Sequence, residues 1–428
     1  MDVLTVSPVR TRAQRTAFVE CEYALRREDR CWTPPLRRDQ YRLLDRAHNA
    51  FLSFGEIELY LAHRGREVVG RIAAVYDPRF NHHHGARDGF FGLFACVDDQ
   101  DAARMLFRAA GAWLAERSMT SLVGPVNFSM NYECGTLIDR FDEPAALLMP
   151  WNPPSDPKLI ENCGFTAVQD LHAWEWECTP GPPALLDRAA AAAAARRGDI
   201  TIRSVDLSRY EAEMDRVREL YHHAWQDNWG FVPMTDHEFR QLALRLRPVL
   251  RPELSLIAEV DGEPVAFSLT LPNLAPALRM AGGRLHRWGV PLGLARMLRE
   301  SRKVRQGRLM AVGVVEEHRQ SGVVPLLLAR TADAAHRLGY KALEISWVLG
   351  NNKPAFRTLR ALGCRRTKTY RIYRCDLLDL LDPGDPGTGL ADRPCDTTQG
   401  CPCGFWSPAP PVSSAADSRA GCWRTATR

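Results

Sequence analysis

Leu309-Met-Ala-Val-Gly-Val-Val-Glu-Glu-His-Arg-Gln-Ser-Gly-Val-Val-Pro-Leu-Leu-Leu-Ala329 is the stretch whose reading decides the fold. Its opening residues are apolar and rich in valine, which predicts a strand over Leu309–Val315. A short turn with Arg319 and Gly322 follows. Pro325 then opens a helix over Pro325–Leu338, with Leu326, Leu327, Ala329 and Ala334 on its inner face. Proline suits a first helical turn because its missing N–H has no partner to lose there. A strand–turn–helix of this kind aims unpaired amides at one point, and the helix dipole adds positive potential. The result is an anion site suited to a pyrophosphate, with Gly322 allowing close approach and Arg319 adding a cation.

The flanking segments complete an α/β unit. Leu254–Val260 and Val265–Leu271 surround Asp261-Gly262-Glu263-Pro264, a hairpin signal, and Ala342–Val348 is a further strand. Asn352 to Gly363-Cys364 closes the unit. The same order occurs upstream. Glu56–His63 and Val68–Tyr76 flank Arg64-Gly65-Arg66, and Gly89–Val97 is a strand. Ala102–Arg117 is a helix, Ser121–Val126 a strand, and Asn152 to Gly164-Phe165 the close. Repeated order and punctuation predict an internal duplication. Between the copies, Thr179-Pro-Gly-Pro-Pro183 stops regular structure, and Ala189–Ala195 before Arg196, Arg197 and Gly198 reads as a helical connector. From Pro383 onward the chain holds seven Pro, six Gly and four Cys with no apolar period, a composition that cannot repay ordering. The expected division is a first domain at 1–182, a linker at 183–198, a second domain at 199–381 and a disordered tail at 382–428.

Residues 200–375 resemble the GNAT-type N-acyltransferases, whose fingerprint V-x-x-x-x-R-x-x-G-x-[GA] runs from strand into helix. Val314, Arg319 and Gly322 stand at matching positions, and Val324 stands where the family prefers Gly or Ala. Asn352, Ala355 and Leu362-Gly363 match its closing pattern. Gly124–Gly135, Met149–Pro154, Trp225–Pro233 and Lys368–Tyr373 extend the resemblance, so that the chain to residue 381 is similar to bacterial tandem GNAT-like proteins of undefined activity. The resemblance implies an α/β fold of two tandem GNAT-like domains, each a mixed central sheet flanked by helices. It implies acyl-coenzyme A, acetyl-coenzyme A in particular, as co-substrate. The main chain of Val312, Val314 and Val315 would hold the pantetheine arm and polarise the thioester. Arg319, Gln320, Ser321, Gly322, Val323 and Val324 would take the pyrophosphate, and Asn352 would touch the arm. The family's acidic tyrosine, seven residues after that Asn, is Leu359 here, which leaves Tyr370 and Tyr373 as candidates.

Moving an acyl group from thioester to amine needs an oriented donor, an oxyanion partner and a base. Glu316 and Glu317, just past the strand, are candidate bases, with a solvated loop edge as the plainer alternative. Trp225, Asp227, Asn228, Trp229 and Phe231 fall within nine residues between the leading helices of the second copy. Such a mix suits an acceptor pocket with apolar walls and polar anchors, and equally a helix–helix elbow. The first copy has Val97-Asp-Asp-Gln-Asp-Ala-Ala103 where the phosphate turn belongs. Carboxylates there repel a pyrophosphate, so no coenzyme is expected in that half. Asn127, Asn131, Glu133 and Cys134 crowd one loop, where Cys134 reads as a buried inert thiol. Asn81-His82-His83-His84 reads as exposed loop rather than a metal site.

Across 428 residues the charge difference is 56 − 51 = 5, which draws in phosphorylated ligands but does not mark a dedicated nucleic-acid binder. The N-terminus has no apolar leader segment, and no run approaches membrane-spanning length. A cytoplasmic protein with no membrane partner is expected. Twelve scattered cysteines without a CxxC pair point to reduced thiols and no metal. The function expected is acyl transfer from acyl-coenzyme A to the amine of a small molecule. Two alternatives stand beside it. One is an aminoacyl-tRNA-dependent transferase, favoured by the basic cluster Arg296, Arg299, Arg302, Lys303, Arg305 and Arg308. The other is a non-catalytic ligand-binding protein, favoured by Val324 and Leu359.

Overall fold

The computed structural model describes residues 2–178, 200–226, 228–286 and 289–382. The linker at 183–198, the tail from 383 and Asp227 lie outside the described residues. The first half runs β1 (Leu4–Pro8), α1 (Arg12–Leu25), α2 (Arg37–Leu43), β2 (Glu56–Arg64), β3 (Glu67–Tyr76) and α3 (Pro78–His84). It continues with β4 (Asp88–Cys96), α4 (Gln100–Ala115), β5 (Ser121–Gly124), β6 (Thr136–Leu137), α5 (Ser155–Glu161) and β7 (Thr166–Glu177). The second half begins with β8 (Ile200–Ser204), α6 (Tyr210–Trp225), α7 (Asp236–Leu246), β9 (Ser255–Val260), β10 (Glu263–Pro272), α8 (Ala275–Ala281) and α9 (Leu292–Ser301). It ends with β11 (Gln306–Val314), α10 (Val323–Arg337), β12 (Ala342–Leu349), α11 (Lys353–Ala361), β13 (Arg365–Asp376) and α12 (Leu377–Leu381). The hairpins form where β-rich runs meet at Gly65 and at Asp261-Gly262, all three in the left-handed region. The run of histidines is a correction: His82–His84 end the short helix α3, which Asp77 caps by accepting from the amides of Arg79 and Phe80.

Both halves fall within one compact unit, Met1–Pro383. The described strands form a single mixed sheet in the order β1-β2-β3-β4-β5-β13-β7-β12-β11-β10-β9-β8, with β6 beside β13. The closing strands are exchanged. β7 of the first half lies against β12, and β13 of the second half lies against β5. The two exchanged strands pair with each other antiparallel from Arg365↔Glu175 to Arg374↔Thr166. Packing follows the exchange. Trp174 and Trp176 of β7 sit in the second-half core with Leu309, Leu343 and Leu359. Tyr373 and Cys375 of β13 sit in the first-half core with Phe91, Phe107 and Phe165. Each large side chain so buried contributes about 1.5–3 kcal/mol, so each half borrows part of its core from the other.

Each half also has a place where parallel neighbours part. β4 pairs with β5 only from Asp88↔Ser121 to Phe90↔Val123. β11 pairs with β12 only from Gln306↔Ala342 to Leu309↔Ile345. The first gap is plugged by the loop after β5. The Val126 amide donates to the Phe91 carbonyl at 2.7 Å, and the Asn127 Oδ1 accepts from the Leu93 amide at 2.8 Å. Gly92 is needed there, since a Cβ would lie 2.4 Å from the Val126 carbonyl oxygen. The adjoining helix end is filled as well. Asp99 caps α4 by accepting from the amides of Asp101 and Ala102, and Arg64 pairs with it. Burial opposes its ionisation, but Arg64 and the amides prevail and hold its pKa below the ordinary value.

Candidate functional site

No backbone hydrogen bond crosses the second gap beyond Leu309↔Ile345 among the described residues, and its geometry follows from strand alternation. The Val315 amide donates to the Val265 carbonyl at 3.0 Å, and the register continues through Ala266↔Val314, Phe267↔Gly313, Ser268↔Val312 and Leu269↔Ala311. Amides alternate sides along an antiparallel strand, so those of Ala311, Gly313 and Val315 face β10. The amides of Val312 and Val314 then face the side where β12 has turned away. A bulge between Leu269 and Thr270 leaves Met310 as the extra residue at the mouth of this gap.

Beyond β11 the chain makes a helical turn at Glu316–His318, and Gly322 at φ +87° leads into α10. Val323 is fully buried beside Val265, Ala266 and Leu327, and Val324 packs toward the cluster around Leu309 and Leu328. Both valines therefore turn inward and do not cover the turn. Among the described residues the amides of Gln320, Gly322 and Val324 have no protein acceptor, whereas the Ser321 amide and hydroxyl both donate to the His318 carbonyl. Arg319 stands 4.0 Å from Glu316 at the same edge. The three amides without an acceptor, at the start of a fifteen-residue helix, fit a pyrophosphate. Asn352 caps α11, its Oδ1 accepting from the Ala355 amide at 3.1 Å.

The aromatic loop after α6 closes over this strand. Trp225 covers Gly313, whose Cβ would lie 2.4 Å from the indole ring, and it packs on Phe267 and Tyr221. Phe231 is buried against Tyr221, Trp229 packs on the first-half core, and the Asn228 amide donates to the Trp225 carbonyl at 2.9 Å. First-half residues clamp the loop. Asn131 accepts from the Tyr221 hydroxyl at 2.6 Å and donates to the Val232 carbonyl at 3.0 Å. Arg79 and His84 hold the carbonyls of Pro233 and Phe231. Gly313→Ala is expected to destabilise by about 1–3 kcal/mol through overpacking against Trp225, read as a lower denaturant midpoint at unchanged slope.

The profile of the Acetyltransferase (GNAT) family matches residues 214–364. Over 381 residues the chain is 35% identical to the bacterial ceramide synthase of Caulobacter vibrioides, covering 86% of this chain and 96% of that one. The chain belongs to the GNAT family. Protein YghO of Escherichia coli is 32% identical over 367 residues, covering 83% of this chain and 91% of its own length. The tandem GNAT protein from the clavulanic acid biosynthesis pathway shares the fold at a TM-score of 0.50 and 14% identity, over 88% of this chain and 99% of that chain.

Within this tandem GNAT chain, the candidate acids and bases fall in different places. Glu316 and Glu317 are exposed on the helical turn beside α10. Tyr373 donates to Glu161 at 2.9 Å inside the first-half core, with β7 and β12 between its strand and β11. Tyr370 is fully buried with no partner for its hydroxyl among the described residues, and burial raises its pKa well above the usual value. Leu359, where GNAT enzymes favour tyrosine, is a core residue beside Leu309 and Leu343. Arg308 is buried too. It donates to Ser346 Oγ at 2.9 Å and to the Leu147 carbonyl at 2.6 Å, so it does not belong to the exposed basic cluster.

The sequence gives Glu133 no role beyond its place in a crowded loop. Its carboxylate keeps access to water, yet the surrounding protein desolvates it and raises its pKa, with Glu22 adding to the rise and Arg245 and Arg308 opposing it. Its neighbours come from both halves. The Glu133 carbonyl accepts from the Asn127 amide, Asn131 grips the loop after α6, and Arg308 belongs to the paired foot of β11. No hydrogen-bond or ion-pair donor holds the carboxylate among the described residues. Cys134, beside it, is buried with its pKa pushed up to about 12, an inert thiol. Among the described residues no cluster of metal-ligating side chains occurs.

Proposed function

We propose that the chain is an acyl-coenzyme A-dependent N-acyltransferase whose donor enters the gap between β11 and β12. The observation that carries this reading is the pairing of an open gap, with the Val312 and Val314 amides turned into it, and an uncapped start of α10. Those strand amides would bond the pantetheine arm, and the Gln320, Gly322 and Val324 amides with Arg319 would bind the pyrophosphate. The thioester supplies an activated acyl carbon. Glu133 is proposed to accept the proton of the attacking amine as the N–C bond forms and the C–S bond breaks. With leucine at position 359, the departing thiolate takes its proton from water. Glu316 and Glu317, exposed at the rim, are the rival bases.

The acceptor is proposed to be the amine of a long-chain amino alcohol, and the acyl group a long chain rather than acetyl. Two facts support this. Among the residues beside the gap that stay partly open are Met310, Val312, Trp347 and Trp225, four apolar side chains. The Caulobacter relative is named for ceramide, the amide of a fatty acid with such an amine. Full-length protein incubated with palmitoyl-coenzyme A and sphinganine is expected to release free thiol and form the amide, seen by mass spectrometry. Saturating acyl-coenzyme A alone should stabilise the fold by about 2.7 kcal/mol at a hundredfold excess over Kd. Stabilisation without thiol release from any amine supports the non-catalytic reading, and neither effect would sink the donor site.

A further inference from the structure

The link between β10 and β11 is much longer than its first-half counterpart, spanning residues 273–305 where the first half has residues 77–87. It folds as the helical pair α8 and α9, which pack on each other through small residues. Gly293 has no room for a Cβ, which would lie 1.9 Å from the Arg284 carbonyl oxygen. The far end of the pair is tied to the first half, where the Arg37 amide donates to the Gly283 carbonyl at 3.0 Å. What it turns outward is unusual. Met280 is 51% exposed, Val290 49%, Leu292 42% and Leu298 52%, four of the ten large apolar side chains that stand exposed among the described residues.

The same link carries eight basic residues against one acidic residue, Glu300, a net of 8 − 1 = 7. Glu300 is paired with Lys303 at 2.9 Å. Arg296, Arg299 and Arg302 are exposed and have no ion-pair partner among the described residues. Beside α9 a cavity of about 330 Å³ has Lys303, Arg305 and Lys341 on its wall together with the paired Glu300, a net positive lining around the end of the helix.

We propose that α8 and α9 dock this protein on a membrane surface containing anionic lipid. A short helix with aliphatic side chains facing water, flanked by unpaired arginines, gains twice at such a surface. Its leucines enter the acyl boundary while its guanidiniums meet headgroup phosphates. A nucleic acid offers the phosphates alone and leaves Met280, Val290, Leu292 and Leu298 in water. No helix among the described residues is long and apolar enough to cross a membrane, so this is contact with the surface. The inference runs against the sequence-based expectation of no membrane partner, and it does not depend on the identity of the acceptor.

The test is sedimentation of the full-length protein with vesicles of phosphatidylcholine, alone or mixed with phosphatidylglycerol. Binding at least tenfold stronger to the mixed vesicles, and weakening with salt, is expected. The pairs Leu292→Ser with Leu298→Ser, and Arg296→Glu with Arg299→Glu, should each remove that preference while the melting temperature holds, because these side chains face water. Equal partition of wild type on both vesicle types overturns the proposal. So does loss of binding in the arginine pair with full retention in the leucine pair. Filter retention of tRNA by a protein that ignores the vesicles overturns it in favour of the nucleic-acid reading.

Discussion

Glu133→Gln is expected to lower kcat about 10²–10⁴-fold, with the melting temperature and the stabilisation by acyl-coenzyme A retained. Glutamine keeps the size and the polarity but cannot accept the amine proton. The pH profile gives a second readout. A base works only when deprotonated, so activity falls as pH drops through its pKa. Burial raises the pKa of Glu133, so the acid limb should lie above the ordinary glutamate range. Arg245 favours the charged form and is itself exposed, so Arg245→Gln should move that limb to still higher pH without unfolding the chain. Loss of the limb in Glu133→Gln, with its persistence in Glu316→Gln and Glu317→Gln, assigns the base. Should Glu133→Gln keep activity within about tenfold of wild type, the rim glutamates become the better candidates.

Neither half expressed alone, 1–182 or 199–382, is expected to give soluble folded protein. The second fragment would lack β7, leaving the outer edge of β12 unpaired and removing Trp174 and Trp176 from the core around Leu309 and Leu343. The first would lack β13, and with it Tyr373 and Cys375 from the core around Phe91 and Phe107. Exposed edges and opened cores of that size drive aggregation. Co-expression should restore a one-to-one complex that melts cooperatively. A soluble monomeric 199–382 fragment, with β13 folded back onto β12, would show that each half can close its own sheet.

The order of elements was legible in the sequence because each strand and helix carries its own period. Leu309 to Val315 reads as β from its run of apolar residues, and it differs from the observed β11 by a few residues at its start. The turn at Gly322 was legible for a similar reason, since a left-handed position before a helix narrows the choice of residue. The strand exchange was not. β7 and β13 each have the composition of a buried strand, and local pattern does not say which of two equivalent edges receives it. Glu133 showed no role in the sequence because the role proposed for it depends on the second half. Its own loop alternates polar residues with the buried Val126, Phe128 and Met130, whereas the proposed role draws on Arg308 of β11 and Arg245 of α7 as charged neighbours. Arg308 misled in the opposite sense, because a basic residue at the end of a basic run looks exposed until the strand that buries it is known.

The aspartate that caps α4 takes helix-start amides equivalent to those that a phosphate would need in the proposed site of the other half. A covalently attached occupant is present at an effective concentration that free ligand in solution does not approach. On the proposed reading the duplication doubled the scaffold without doubling its capacity, and titration with acyl-coenzyme A is expected to end at a single coenzyme per polypeptide.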